Sequence, residues 1–300
     1  VLGGCVLKLL GVTRAGAGHS RREMSVGCFK TLTLLLSLGT TASSSYPGEK
    51  GDGGTGSWTL TDDQMEVLIS LLHTTITDDP DQYSNATMVA LLRSILTRKF
   101  LSPSLYSLMD TILRLSVQSQ IASVRRQSNQ LFLQFVVEYP LGEKVLKQHL
   151  EQIVSNCQYE YESGRLSSIN LLGTVIKKLP PVLLERYQNL FFLPCVLQLV
   201  NDDSASCREA VQEECLAWII KRVTGTSLES IKEYISVWLL EEAPRQQQEG
   251  RDTSLKRTAV QLLGILIDAR PDCLAKGNSA GIWGRGVAGG VKGLHEGLMK

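Results

Sequence analysis

Histidines are the side chains in this sequence best suited to acid–base chemistry, and there are four of them. Nucleophilic catalysis needs a base beside a serine or cysteine. His73 and His149 fall within helical patterns that contain no recognisable partner motif, whereas His19 and His295 fall in glycine-rich ends. The histidine pattern therefore gives no catalytic site, and we expect the protein not to be an enzyme.

The cysteines are the other residues that could bind a metal or act as nucleophiles. His149 and Cys157 are eight residues apart, as are Cys207 and Cys215, and the sequence contains no C-x-x-C pair. Zinc sites typically show closer ligand spacings than these. Seven cysteines in a chain of 300 residues also form no disulfide framework. We expect reduced, mostly buried thiols and no metal.

One glycine motif near the carboxyl end matches the sequence pattern of a cofactor-binding loop. Gly284, Gly286 and Gly289 satisfy G-x-G-x-x-G. A dinucleotide site needs a strand before the motif, a helix after it and an acidic residue about twenty positions later. No strand pattern precedes these glycines, and the sequence ends eleven residues after Gly289. We interpret the motif as low-complexity sequence and expect no cofactor.

Three basic pairs offer a different chemistry, the binding of phosphate. Each pair falls where a predicted helix ends: Arg98 and Lys99, Lys177 and Lys178, Lys221 and Arg222. Positive charge there complements the helix dipole, which is the favoured interpretation. The other hypothesis is that stacked repeats align the pairs into one basic rim for RNA or a protein partner. The overall charge does not decide between these two interpretations, since 31 basic and 30 acidic residues nearly cancel.

The elements that position these residues are amphipathic helices arranged in pairs. Apolar residues recur at three-and-four spacing in the first predicted helix, 61–77. Successive pairs are predicted at 61–77 with 83–99, 104–115 with 123–139, 142–157 with 164–179, 182–200 with 204–223, and 227–240 with 253–268. Pro140, Pro180 and Pro271 follow the second helix of three pairs and stop it, and Gly225 is predicted as a terminator.

This periodicity predicts an all-α fold, a HEAT/armadillo-like α-solenoid of about five helical hairpins. The repeats are predicted within residues 58–274. Residues 1–57 are of low complexity and residues 275–300 are rich in glycine, a composition that buries too little apolar surface to fold. We expect both ends to be disordered or irregular, or foreign to the domain.

A basic residue also recurs near the start of second helices. Arg125, Arg165, Arg208 and Lys256 follow one another at intervals of 40, 43 and 48 residues. In HEAT-like stacks such residues commonly bridge neighbouring repeats through acidic partners. We therefore predict Arg125, Arg165 and Arg208 to be structural contacts between repeats, with a partner surface as the second possibility. Asp203 or Ser204 is predicted to cap the helix that follows.

Residues 125–208 resemble the small-subunit processome component 20 family, also called down-regulated in metastasis. The matching residues are Arg125-Arg126, Tyr139-Pro140-Leu141-Gly142, Lys144, Tyr159-Glu160, Glu162, Gly164-Arg165, Phe191-Phe192, Pro194, and Asn201-Asp202-Asp203-Ser204 with Cys207. Weaker similarity extends from about Asp62 to Ala269. The family's proteins are many times longer, so the resemblance implies that this chain is an internal fragment.

The resemblance implies a non-enzymatic scaffold of the small-subunit processome, associated with the U3 small nucleolar ribonucleoprotein (snoRNP) and supporting pre-18S rRNA processing and small-subunit assembly. It implies a location in the nucleus, in the nucleolus. It implies other processome proteins as partners and pre-rRNA or U3 small nucleolar RNA as a further contact, with no membrane, no small-molecule substrate and no catalytic residues. The alternative is a general HEAT-repeat adaptor for protein–protein interaction in transport or signalling.

Overall fold

The computed structural model describes residues 27–34, 36, 60–78, 86–240 and 249–271. Regular structure in these ranges is helical, and none of it is a strand. The prediction of an all-α fold is therefore confirmed. The chain divides into two compact units, Val1–Leu171 and Leu172–Lys300.

The helices follow one another in the order of the predicted pairs, which we call hairpins 1 to 5 along the chain. Their helices are Asp62–Asp78 and Ala86–Thr97 in hairpin 1, Pro103–Gln118 and Ala122–Glu138 in hairpin 2, and Glu143–Asn156 and Glu162–Lys178 in hairpin 3. Hairpin 4 has Pro181–Arg186 and Gln188–Asn201 on its first side and 205–222 on its second, and hairpin 5 has Gly225–Leu240 and Glu249–Ala269.

The first helix of hairpin 1 shows how sequence periodicity sets the packing. Its three-and-four apolar stripe is buried: Met65, Leu68, Ile69, Leu72 and Ile76. This helix packs on the first helix of hairpin 2, and the two second helices also pack on each other. Like-on-like packing of successive hairpins is the arrangement expected of helical repeats.

Helix ends follow the chemistry read from the sequence. The Ser102 side chain caps the first helix of hairpin 2 by accepting from the Leu105 amide at 3.1 Å, with Pro103 at the first helical position. Ser204 caps in the same way by accepting from the Cys207 amide at 3.2 Å, which confirms one of the two predicted caps. The second helices of hairpins 2 and 3 end just before Pro140 and Pro180, as predicted.

Hairpin 4 departs from prediction on both sides. The single helix predicted at 182–200 is two, because the chain turns at Tyr187 with φ −100° and ψ 8°. The second helix contains a π-helical turn, Val211–Leu216. Gly225 does not end that helix, since the helix stops at Arg222 and Gly225 begins the next one with φ +52°. Only glycine adopts that left-handed φ readily.

The structure describes a short stretch of the amino-terminal region. Residues 27–34 and 36 are helical, and Cys28, Phe29, Leu32 and Leu36 are buried. The remainder of 1–59, the whole of 275–300 and residues 272–274 lie outside the described residues. Among the helices described, none combines the length and apolar character that a bilayer-crossing segment needs.

Candidate functional site

The arginines at the start of second helices donate hydrogen bonds to the loop of their own hairpin. Arg125 donates from Nη1 to the Ser119 carbonyl at 2.7 Å, and Arg208 donates from Nη1 to the Asp202 carbonyl at 2.6 Å. In both cases the carbonyl lies six residues earlier, at the end of the first helix. A guanidinium there satisfies a carbonyl that the helix leaves without an internal partner.

Arg165 repeats this contact in hairpin 3, donating to the carbonyl of Tyr159 at 3.2 Å and to that of Glu160 at 2.9 Å. The three arginines therefore occupy one equivalent position in three successive repeats. These hydrogen bonds lie within a hairpin, so the predicted bridge between neighbouring repeats stays a prediction.

Several contacts between successive hairpins come from the ends of second helices. Arg222 donates to the carbonyls of Ile176 and Leu179, the latter at 2.7 Å. The Tyr139 hydroxyl donates to the Phe100 carbonyl at 3.3 Å. Each donor satisfies carbonyls at the end of the preceding second helix.

Arg270 makes the equivalent contact from hairpin 5 to hairpin 4. It reaches the carbonyls of Ile220, Lys221 and Val223 at 3.0, 2.8 and 2.6 Å. Sequence reasoning missed Tyr139 and Arg270 as joints between repeats. The available signal was a hydrogen-bond donor directly before a proline stop, since Tyr139 precedes Pro140 and Arg270 precedes Pro271.

Within the predicted basic pairs, some side chains make structural contacts and others are exposed. Arg98 donates from Nη2 to the Leu36 carbonyl at 2.8 Å, and burial lowers the pKa of its guanidinium. Lys99 is exposed and has φ +53°. Because Arg98 and Arg222 are engaged with carbonyls, they are poor candidates for phosphate binding. The alignment of the three pairs into one rim stays a prediction.

The other two pairs lie in the last turns of their helices, where positive charge complements the dipole. Lys177 forms an ion pair with Glu214. Its Nζ also lies 5.0 Å from the centroid of the Trp218 ring, and the Nζ of Lys221 lies 4.9 Å from the same centroid. Lys178 and Lys221 are exposed. Trp218 is thus flanked by two ammonium groups from two different hairpins.

His149 is a buried titratable group of the amino-terminal unit, with 4% of its surface exposed. Its ring lies edge-on to Phe132 and Phe135, with centroids 5.5 Å apart in each case. Neither ring nitrogen has a hydrogen-bond partner among the described residues. Burial lowers the pKa of His149, and Asp110, 3.9 Å from Nδ1, opposes that shift more weakly. The neutral imidazole ring therefore packs as part of the apolar core.

Thiols and potential metal ligands show no clustering in the part of the chain that the structure describes. The cysteines described there are all buried, as predicted: Cys28, Cys157, Cys195, Cys207 and Cys215. Within the same ranges, no group of three His, Cys, Asp or Glu side chains is arranged to hold a metal ion. The side chains brought together are therefore those of helix caps, loop braces and joints between repeats.

Two curated proteins show sequence similarity to the chain. It is 28% identical over 198 residues to U3 small nucleolar RNA-associated protein 20 of Schizosaccharomyces pombe, covering 66% of this chain and 8% of that protein. It is 30% identical over 148 residues to the protein of the same name from Saccharomyces cerevisiae, covering 49% of this chain and 6% of that one.

The chain is therefore similar in sequence to U3 small nucleolar RNA-associated protein 20. The resemblance drawn from residues 125–208 is thereby confirmed. The chain spans less than a tenth of the length of either U3-associated relative. No family model matches. Among solved structures, the crystal structure of an engineered protein is similar with a TM-score of 0.40 and 11% identity, over 88% of this chain and 97% of that one.

Proposed function

We propose that this chain is a segment of a non-enzymatic scaffold in the small-subunit processome, the nucleolar particle that contains U3 small nucleolar RNA. In this role it supports processing of pre-18S rRNA and assembly of the small ribosomal subunit. The observation that carries the proposal is the similarity to two yeast proteins named for their association with U3 small nucleolar RNA.

The geometry supports the scaffold part of the proposal. Arginine and tyrosine side chains at equivalent repeat positions donate hydrogen bonds to backbone carbonyls. Arg208 does so within a hairpin, and Arg222 and Tyr139 do so between hairpins. Such joints fix the order and register of hairpins without providing reaction chemistry. A helical-repeat array exposes a long surface for its mass, so several partners can bind it together.

The proposed partners are other processome proteins together with pre-rRNA or U3 small nucleolar RNA, and the proposed location is the nucleolus. Local positive charge supports contact with RNA, because Lys178 and Lys221 are exposed at the ends of neighbouring second helices. The near-zero net charge of +1 limits any attraction to such local patches.

Depletion of the full-length protein from growing cells tests the proposed function. Pulse-labelled rRNA should show loss of mature 18S rRNA and accumulation of its precursors, while large-subunit rRNA is made normally. Re-expression of the intact protein should restore 18S rRNA, and re-expression without residues 60–271 should not. Unchanged 18S rRNA after complete depletion would contradict the proposal and favour a general adaptor.

A further inference from the structure

The exposed side of hairpins 3 and 4 carries an aromatic ring between two lysines. Trp218 lies one turn before Lys221 on the same helix, and Lys177 reaches it from the second helix of hairpin 3. Both ammonium groups lie within 5.0 Å of the indole centroid. Trp218 itself is only partly buried. An indole at a protein surface offers a stacking partner to a flat ligand.

The cluster is held by backbone packing as well as by charge. A Cβ atom placed on Gly173 would lie 2.8 Å from the Glu214 carbonyl oxygen, so only glycine allows this approach of the two helices. Glu214 lies in the π-helical turn and pairs with Lys177. π-Helical turns are rare and occur frequently at functional sites.

We propose that Trp218, Lys177 and Lys221 form a binding site for an unpaired nucleotide of single-stranded RNA. The base stacks on the indole, and the two lysines pair with its flanking phosphates, while exposed Lys178 adds positive charge beside them. This inference deepens the proposed function and rests on it, since it identifies where the chain would contact RNA.

RNA fits the cluster better than an acidic protein segment. Carboxylates would use the lysines alone, because the face of an aromatic ring is electron-rich and does not attract an anion. A nucleotide uses all three groups, since every base has a π-face and carries a phosphate beside it. Lysine stems are flexible, so either ammonium can leave the ring face for a phosphate as the base enters.

Fluorescence anisotropy of the purified chain with labelled oligouridine RNA of about 12 nucleotides tests the site. We expect W218A to weaken binding about tenfold and W218F to retain most of the affinity. The double variant K177Q/K221Q should weaken binding and reduce the salt slope of log K by about 1.4. E214Q, which frees Lys177, should tighten binding a few-fold, an effect that a purely structural role would not give.

Two matched controls come from hairpin 5. Trp238 stacks on Tyr234 with centroids 5.9 Å apart, and Lys232 pairs with Glu229 at 2.8 Å. W238A and K232Q should bind the RNA as the unaltered chain does. Circular dichroism of each variant shows whether it is folded, and K177Q/K221Q decides the matter if W218A does not fold.

Three results would overturn the site: unchanged RNA binding in the folded W218A and lysine variants, equal losses in the controls, or displacement of RNA by polyglutamate peptide at equal charge. The last would assign the lysines to an acidic protein. Recovery of U3 RNA with the unaltered full-length protein separates the two proposals. U3 recovery without an effect of these substitutions contradicts the site alone, whereas failure of U3 recovery contradicts the proposed function.

Discussion

Gly173 and Glu214 are in backbone contact, and this contact sets how closely the second helices of hairpins 3 and 4 approach. A Cβ atom on residue 173 would lie 2.8 Å from the Glu214 carbonyl oxygen and 2.9 Å from its Cβ. Neither neighbouring atom is the end of a flexible side chain, so the helix backbones would have to separate. Lys177 and Trp218 lie on the same two helices, so their distance depends on this contact.

Gly173→Ala should therefore destabilise the chain, by about 1–3 kcal/mol as for other overpacked contacts. Gly264→Ala is the matched control, because its added Cβ would meet nothing within 4 Å and the residue is exposed within a helix. That control should be neutral or stabilising by up to about 1 kcal/mol. Urea unfolding measures both, and equal stability of the two variants would contradict the packing argument.

Arg222→Met should weaken the joint between hairpins 3 and 4. Its guanidinium donates to two carbonyls, those of Ile176 and Leu179, and methionine keeps the apolar stem but no donor. We expect a loss of about 1–2 kcal/mol in the free energy of unfolding, since the group is only partly buried. Lys178→Met, at an exposed position nearby, is the control and should change stability little.

Tyr139→Phe removes one hydroxyl from the joint between hairpins 1 and 2. The hydroxyl donates to the Phe100 carbonyl at 3.3 Å, while the ring packs on Phe135 with centroids 5.0 Å apart. Phenylalanine keeps the ring contact and leaves the partly buried carbonyl without its donor. Thermal unfolding should show a loss of about 1 kcal/mol. An unaltered melting temperature would mean that the hydrogen bond contributes nothing to stability.

His149 should make the chain less stable in acid. Burial lowers its pKa in the folded state, so below about pH 6.5 the unfolded chain binds a proton that the folded chain does not. Stability therefore falls as pH decreases through that value, by at most about 1.4 kcal/mol per pH unit from this residue. His149→Phe should lose this part of the pH dependence, whereas Asp110→Asn should keep it. Identical pH profiles of the unaltered chain and His149→Phe would contradict the assignment.

Helical periodicity predicted most of the fold, because apolar spacing and proline stops act within a single helix. The buried stripe from Met65 to Ile76 and the cap at Ser204 are local features of this kind. The break at Tyr187 and the π-helical turn were not predictable in this way. Both occur where no proline or glycine interrupts an apolar pattern.

The candidate site was predicted only in part for a related reason. Trp218 and Lys221 are three residues apart, a spacing that places side chains on one helix face and is visible in the sequence. Lys177 and Gly173 come from the preceding hairpin, and their approach depends on how two repeats pack. Degenerate repeats carry no residue pattern that marks such contacts. The basic pairs were visible, but their division into joints and exposed charges required the structure.

Recovery of U3 small nucleolar RNA with the tagged full-length protein tests the central claim most directly. The protein should be purified from cell extract under native conditions and the U3 RNA measured against an abundant nuclear RNA outside the nucleolus. A known U3 particle protein serves as the positive control. The account predicts strong enrichment of U3 RNA with the protein. Enrichment with the positive control and none with this protein would contradict it.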